Sequence, residues 1–239
     1  LATEMYSAGI DRLTHQPLSF SVSETTEGVH IHIIDAELMG KGEKEKKDLY
    51  IEGVQNNGII NHYEYIINSE GTIEIRHVLK PEGKMPLWFP RIGLTLTVSD
   101  ALDQVKWYGR GPQENYPDRK TGYPTGIYAS TVQAMYEPYL MPQDYGLRTD
   151  VRWLQLTTDK GIGLQFKMNE WFNFNIYPYS TDNLTKAMYT YQLQKQKGMT
   201  LNLDYATTGV GCTARGVFGA YKAMPQEYRR TISIKPMMK

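Results

Sequence analysis

Apolar and polar residues alternate with a period of two along most of this chain. The segments LSFSVS (18–23), GVHIHII (28–34), GIINHYEYIINS (58–69), GTIEIRHVL (71–79) and RIGLTLTVS (91–99) each send apolar side chains to one side and polar ones to the other. That is the signature of a strand with one buried face. The second half repeats it in DVRWLQLTT (150–158), GIGLQFKMN (161–169), WFNFNIYPYS (171–180), GMTLNLDYATT (198–208) and RRTISIKP (229–236). Turn residues such as NSEG (68–71), TDKG (158–161) and QKG (196–198) punctuate these runs and predict antiparallel neighbours.

Ten or more strands follow, with little helix. ATEMYSAGIDRL (2–13) reads as the end of a helix with Gly9 near its C-cap, and STDNLTKAMYT (180–190) as a turn or two capped by Ser180 or Thr181. The charged stretch MGKGEKEKKD (39–48) reads as a hairpin tip, because a strand pattern resumes at once in LYIEG (49–53). The class is all-β, a large antiparallel two-sheet sandwich, and residues 1–239 form one domain.

Composition narrows the partners. Lys plus Arg and Asp plus Glu number 26 each, so there is no net field to attract nucleic acid or an anionic membrane. No apolar run is long enough to span a bilayer. The chain starts without Met or a leader pattern, and reads as a piece of a longer one. Its single cysteine, Cys212, reads as a buried free thiol and excludes an intramolecular disulfide. The 18 tyrosines suit either half-buried strand positions or a surface that stacks on sugar rings.

Candidate chemistry concentrates in two loops. WYGRGPQENYPDR (107–119) gathers Arg110, Glu114, Asp118 and Arg119 on a turn fixed by glycine and proline, with no phosphate-loop pattern. YEPYLMPQDYGLRTDVRW (136–153) adds Gln143, Asp144, Arg148, Asp150 and Arg152. Carboxylates, amides and arginines among aromatics are the usual apparatus for sugar hydroxyls, and this makes Glu114, Asp118, Arg119, Gln143, Asp144 and Arg148 candidate sugar-binding residues. The competing reading is a brace in which Arg119, Arg148 and Arg152 pair with Glu114, Asp118 and Asp150. His30 and His32 share one strand face, but without a third ligand no metal site is expected. The remaining histidines, His15, His62 and His77, also lie in the first third, so chemistry in the loops would proceed without imidazole.

VKWYGRGPQENYPDRKTG (105–122), MYEPYLMPQDYGLRTDVRWLQL (135–156) and LNLDYATTGVG (201–211) together resemble the C-terminal domain of the family 2 β-galactosidases. The resemblance implies a supersandwich of the galactose mutarotase kind within a longer, retaining glycosidase. It places the catalytic glutamates in an upstream barrel absent from these residues, so no catalytic residue and no cofactor are expected here. The implied partners are a galactoside or other neutral carbohydrate and the N-terminal domains of a bacterial parent, cytoplasmic or periplasmic. Family members carry a Trp on the loop after a late GxG. Here residues 209–228 contain none, so either Phe218 or Tyr221 takes its place or the contribution is missing. The resemblance tilts the two loops towards bracing. An independent carbohydrate-binding module and an aldose 1-epimerase are the alternatives.

Overall fold

The computed structural model describes Met5 and residues 8–39, 57–211 and 216–238. The expected hairpin tip and its LYIEG strand, Cys212, and most of the N-terminal helix lie outside the described residues. The described residues hold eleven strands: β1 Thr14–Thr25, β2 Gly28–Leu38, β3 Gly58–Ile67, β4 Ile73–Glu82, β5 Arg91–Val98, β6 Gln104–Arg110, β7 Thr125–Thr131, β8 Arg148–Thr157, β9 Gly163–Tyr177, β10 Met199–Thr207 and β11 Tyr228–Met237. All recorded pairings between them are antiparallel. A short α-helix, α1 (Thr181–Lys186), starts where Ser180 accepts from the Asn183 amide at 3.0 Å. Gly9 adopts the left-handed conformation foreseen for it, and a 3₁₀ turn, Ile10–Arg12, follows.

The strands run β1-β2-β3-β4-β11-β9-β8-β6-β7, and β10 joins β9 to β5. The two expected layers therefore share a strand. β9 is 15 residues long; its first part pairs with β11 and its last part, Asn173–Tyr177, pairs with β10. The alternation predicts two segments, 161–169 and 171–180, parted at Glu170. Glu170 instead continues the strand, and Asn169 Oδ1 accepts from the Thr231 amide on β11 at 3.0 Å. β7 went unforeseen because its alternation has no buried half: none of its side chains is fully covered.

Between the layers lies one apolar core built from Trp107, Val151, Leu154, Phe166, Phe172, Phe174, Leu201, Leu203 and Ile232, each at most 1% exposed. Truncating an aromatic such as Trp107 in this setting costs about 3–5 kcal/mol. A polar link crosses the same space. Buried His77 on β4 meets Tyr205 Oη of β10 at 2.7 Å and Asn61 Oδ1 at 3.1 Å. Burial, then His62, lowers the His77 imidazole to about 4, so it is neutral and can donate to the amide oxygen while accepting from the phenol.

Candidate functional site

The two dense loops fold against each other at one end of β6, β7 and β8. Trp107 Nε1 donates to Arg110 O at 3.0 Å and fixes the exit from β6. A Cβ on Gly111 would lie 2.8 Å from the Tyr128 ring and 3.0 Å from Trp107, so the close approach of the chain there requires glycine.

Glu114 is the hub. Its carboxylate is only 6% exposed and takes four donors. Arg119 Nη2 donates to Oε1 at 2.7 Å, and Tyr139 Oη makes a short contact to the same oxygen. Oε2 accepts from the Gly146 amide at 2.8 Å and from Tyr116 Oη at 3.3 Å. Burial pushes both phenols up, followed by the Glu114 charge at Tyr116 and the hydrogen bond to Glu114 at Tyr139, which keeps them protonated as donors. Asn115, fully buried, completes the joint: its Oδ1 accepts from the backbone amide and hydroxyl of Thr149, and its backbone N–H donates to Leu147 O at 2.8 Å. Asn115 was not foreseen; its only signal was an amide set among aromatics in a constrained turn.

Asp118 carries the brace to a third segment. Oδ1 accepts from the Val210 amide at 3.0 Å and Oδ2 from Gly211 at 2.7 Å. The Gly209 amide in turn donates to Tyr221 O at 2.9 Å, and a 3₁₀ turn, Gly219–Tyr221, presents Phe218 at 66% exposure.

The pairing differs from the sequence scheme. Arg119 does pair with Glu114, but Asp118 binds backbone amides rather than an arginine. Asp150 pairs with Arg110 at 2.5 Å and Lys120 at 2.7 Å. Burial opposes its charge, yet these hydrogen bonds outweigh it and hold the carboxyl below its ordinary value. Arg152 stacks on Trp171, 4.1 Å from the ring centre, and on Tyr108 at 5.1 Å. Arg148 is buried with no carboxylate partner among the described residues: it donates to Gly146 O at 2.9 Å, lies over Trp107, and its Nε meets no acceptor there. Burial brings its guanidinium down to about 10, against the opposing pull of Glu137 and Glu114.

A second network lies on β5, β9 and β10. Asp144 accepts from Asn175 Nδ2 at 2.9 Å, Tyr177 Oη at 3.1 Å and Arg91 Nη1 at 3.3 Å. Arg91 also pairs with Asp204 at 3.0 Å, and Asn202 donates to Asn175 at 2.8 Å and to Tyr177 at 3.0 Å. Burial raises the Asp204 carboxyl to about 6 in spite of Arg91. Unlike Glu114, Asp144 is half open to solvent, with its side chain 44% exposed. Neighbouring Gln143 is exposed. The carboxylate, amide and aromatic groups around these two networks can hydrogen-bond and stack on a neutral polyol; the braced loops themselves offer little spare bonding capacity.

The family profile described as "Beta galactosidase small chain" matches residues 6–234. The chain belongs to the β-galactosidase small-chain family. It is 38% identical over 147 residues to a β-galactosidase of Priestia megaterium, covering 62% of this chain and 14% of that protein. To a β-galactosidase of Vibrio cholerae it is 31% identical over 207 residues, covering 86% of this chain and 18% of the relative. This small-chain domain thus spans less than a fifth of the curated relatives it matches. Among solved structures, a GalM/aldose epimerase homologue from C. elegans aligns with 92% of the chain and 69% of its own at 12% identity and a TM-score of 0.43. Among the described residues, no helix is long and apolar enough to cross a membrane.

Proposed function

We propose that residues 1–239 are one accessory domain of a longer β-galactosidase that hydrolyses terminal β-D-galactosides with retention. Its task is to hold the rim of the sugar pocket in place beside a catalytic barrel supplied by the rest of the parent, and the domain alone is not catalytic. The observation that carries this reading is the chain of contacts from Glu114 through Asp118 to the Gly209–Gly211 turn and exposed Phe218. Two charged side chains are spent on fixing backbone, and the product of that fixing is an aromatic left open to solvent.

In this reading Phe218, with Tyr221 beside it, takes the place of the family tryptophan and stacks on the apolar face of a galactosyl ring. Gln143 and Asp144 supply the polar edge. Glu114, Asp118, Arg119 and Arg148 act through the backbone they position rather than by touching sugar.

The test separates the two roles in the full-length parent. Phe218→Ala is expected to lower kcat/KM on a galactoside about 2- to 10-fold, the worth of one aromatic contact, with an unchanged melting midpoint. The isolated domain is expected neither to hydrolyse a nitrophenyl galactoside nor to speed anomer exchange of galactose. Hydrolysis by the domain alone would overturn the accessory role, and accelerated exchange would replace it with an epimerase.

A further inference from the structure

We propose that His30, His32 and Glu64 form a binding site for one zinc-class divalent cation. The site lies far along the sheet from the braced loops, and the inference is independent of the galactosidase reading. His30 and His32 project from the same face of β2, and the β2–β3 register sets Glu64 directly opposite His32. The sequence alone offered two imidazoles and no third ligand; the strand pairing supplies it.

The geometry suits a metal. Glu64 Oε1 lies 3.5 Å from His30 Nδ1 and 3.9 Å from His32 Nε2, and the three ligand atoms all fall within 4.8 Å of one another. Ligands about 2.0–2.1 Å from a tetrahedral zinc stand about 3.3 Å apart, so Glu64 Oε1 closes on the two imidazoles by about 0.2–0.6 Å, and the imidazole nitrogens, within 4.8 Å of each other, close by up to about 1.5 Å through side-chain rotation. Three protein ligands leave the fourth position to water or to a partner's side chain.

Two further features point the same way. Arg76, opposite Glu64 on β4, donates to Oε2 at 3.1 Å and is itself held by Glu74 at 2.8 Å. It orients the carboxylate and occupies the far oxygen, leaving Oε1 towards the imidazoles; this is the outer-shell support that ligating carboxylates usually receive. The His30 ring is mostly covered, and Nε2, the nitrogen turned away from the site, has no hydrogen-bond partner among the described residues. Metal on Nδ1 would fix the proton on Nε2, and Glu27 Oε2 at 3.9 Å is the carboxylate placed to draw in and accept it. Two imidazoles and one carboxylate select zinc over magnesium or calcium, which prefer oxygen ligands. On the outer β1-β2-β3 sheet a cation would clasp β2 to β3.

Zinc is titrated calorimetrically into the 239-residue chain carrying Cys212→Ser, which removes the one thiol. One equivalent is expected to bind saturably and magnesium not at all. Glu64→Gln and His32→Ala, both at partly or largely exposed positions, should each weaken zinc at least about tenfold with the circular dichroism unchanged. His15→Ala, on the opposite face of the sheet, should leave affinity as it was. No saturable zinc binding, or affinity untouched by both ligand variants, would overturn the site.

Discussion

Glu114 and Asp144 stand in adjoining loops, are both acids among tyrosines, and have opposite fates. Glu114 is covered and its two oxygens take four donors from both loops, whereas Asp144 uses one oxygen on Arg91, Asn175 and Tyr177 and keeps nearly half its side chain in water. A carboxylate whose lone pairs are filled from within can only position its neighbours. One with capacity left over can meet a ligand. Spent acids at the joint and open amides and aromatics at the rim divide the labour of this surface.

The largest effect should follow from emptying the spent acid. Glu114→Ala removes the acceptor of the Gly146 amide, of two phenols and of half-exposed Arg119, and is expected to cost about 2–4 kcal/mol in chemical denaturation; an unchanged midpoint would break the contrast at once. Asp150 comes next. Its folded pKa is depressed, so its contribution is present above the ordinary Asp value and drains away as pH falls through the folded one. Asp150→Asn should therefore cost about 2 kcal/mol at pH 7 and flatten the acid limb of the melting curve against pH. Asp204, buried beneath half-open Asp144 in the second network, has a raised pKa. Its contribution has the reverse sign: full below the ordinary Asp value and lost as pH rises to about 6. Asp118→Ala removes two hydrogen bonds at a half-buried position and should cost about 1–2 kcal/mol. Smallest of all, Phe218→Ala and Gln143→Ala should stay within about 0.5 kcal/mol of the wild type, because neither side chain is packed.

Most strands were legible because half-buried pleats write a period of two, and Gly71 and Gly161 sit in turns where the residue pattern placed them. β7 was not, since both its faces are partly wet, and the shared role of β9 was not, because branching of a sheet leaves no trace in local alternation. Within the site, the density of charge and aromatics marked the right two loops. Which acid meets which donor was hidden: Asp118 binds amides of residues more than ninety positions away, and Arg91, Asn175, Asn202 and Asp204 converge from three strands. Glu64 was likewise invisible beside His32 until the strand register was known.

Amide hydrogen exchange at Gly146 tests the brace most directly. If Glu114 pins the second loop to the first, this loop amide exchanges as slowly as neighbouring amides of β8 in the wild type and speeds up sharply in Glu114→Ala. Rapid exchange in the wild type, or a rate the substitution leaves unchanged, would contradict the brace.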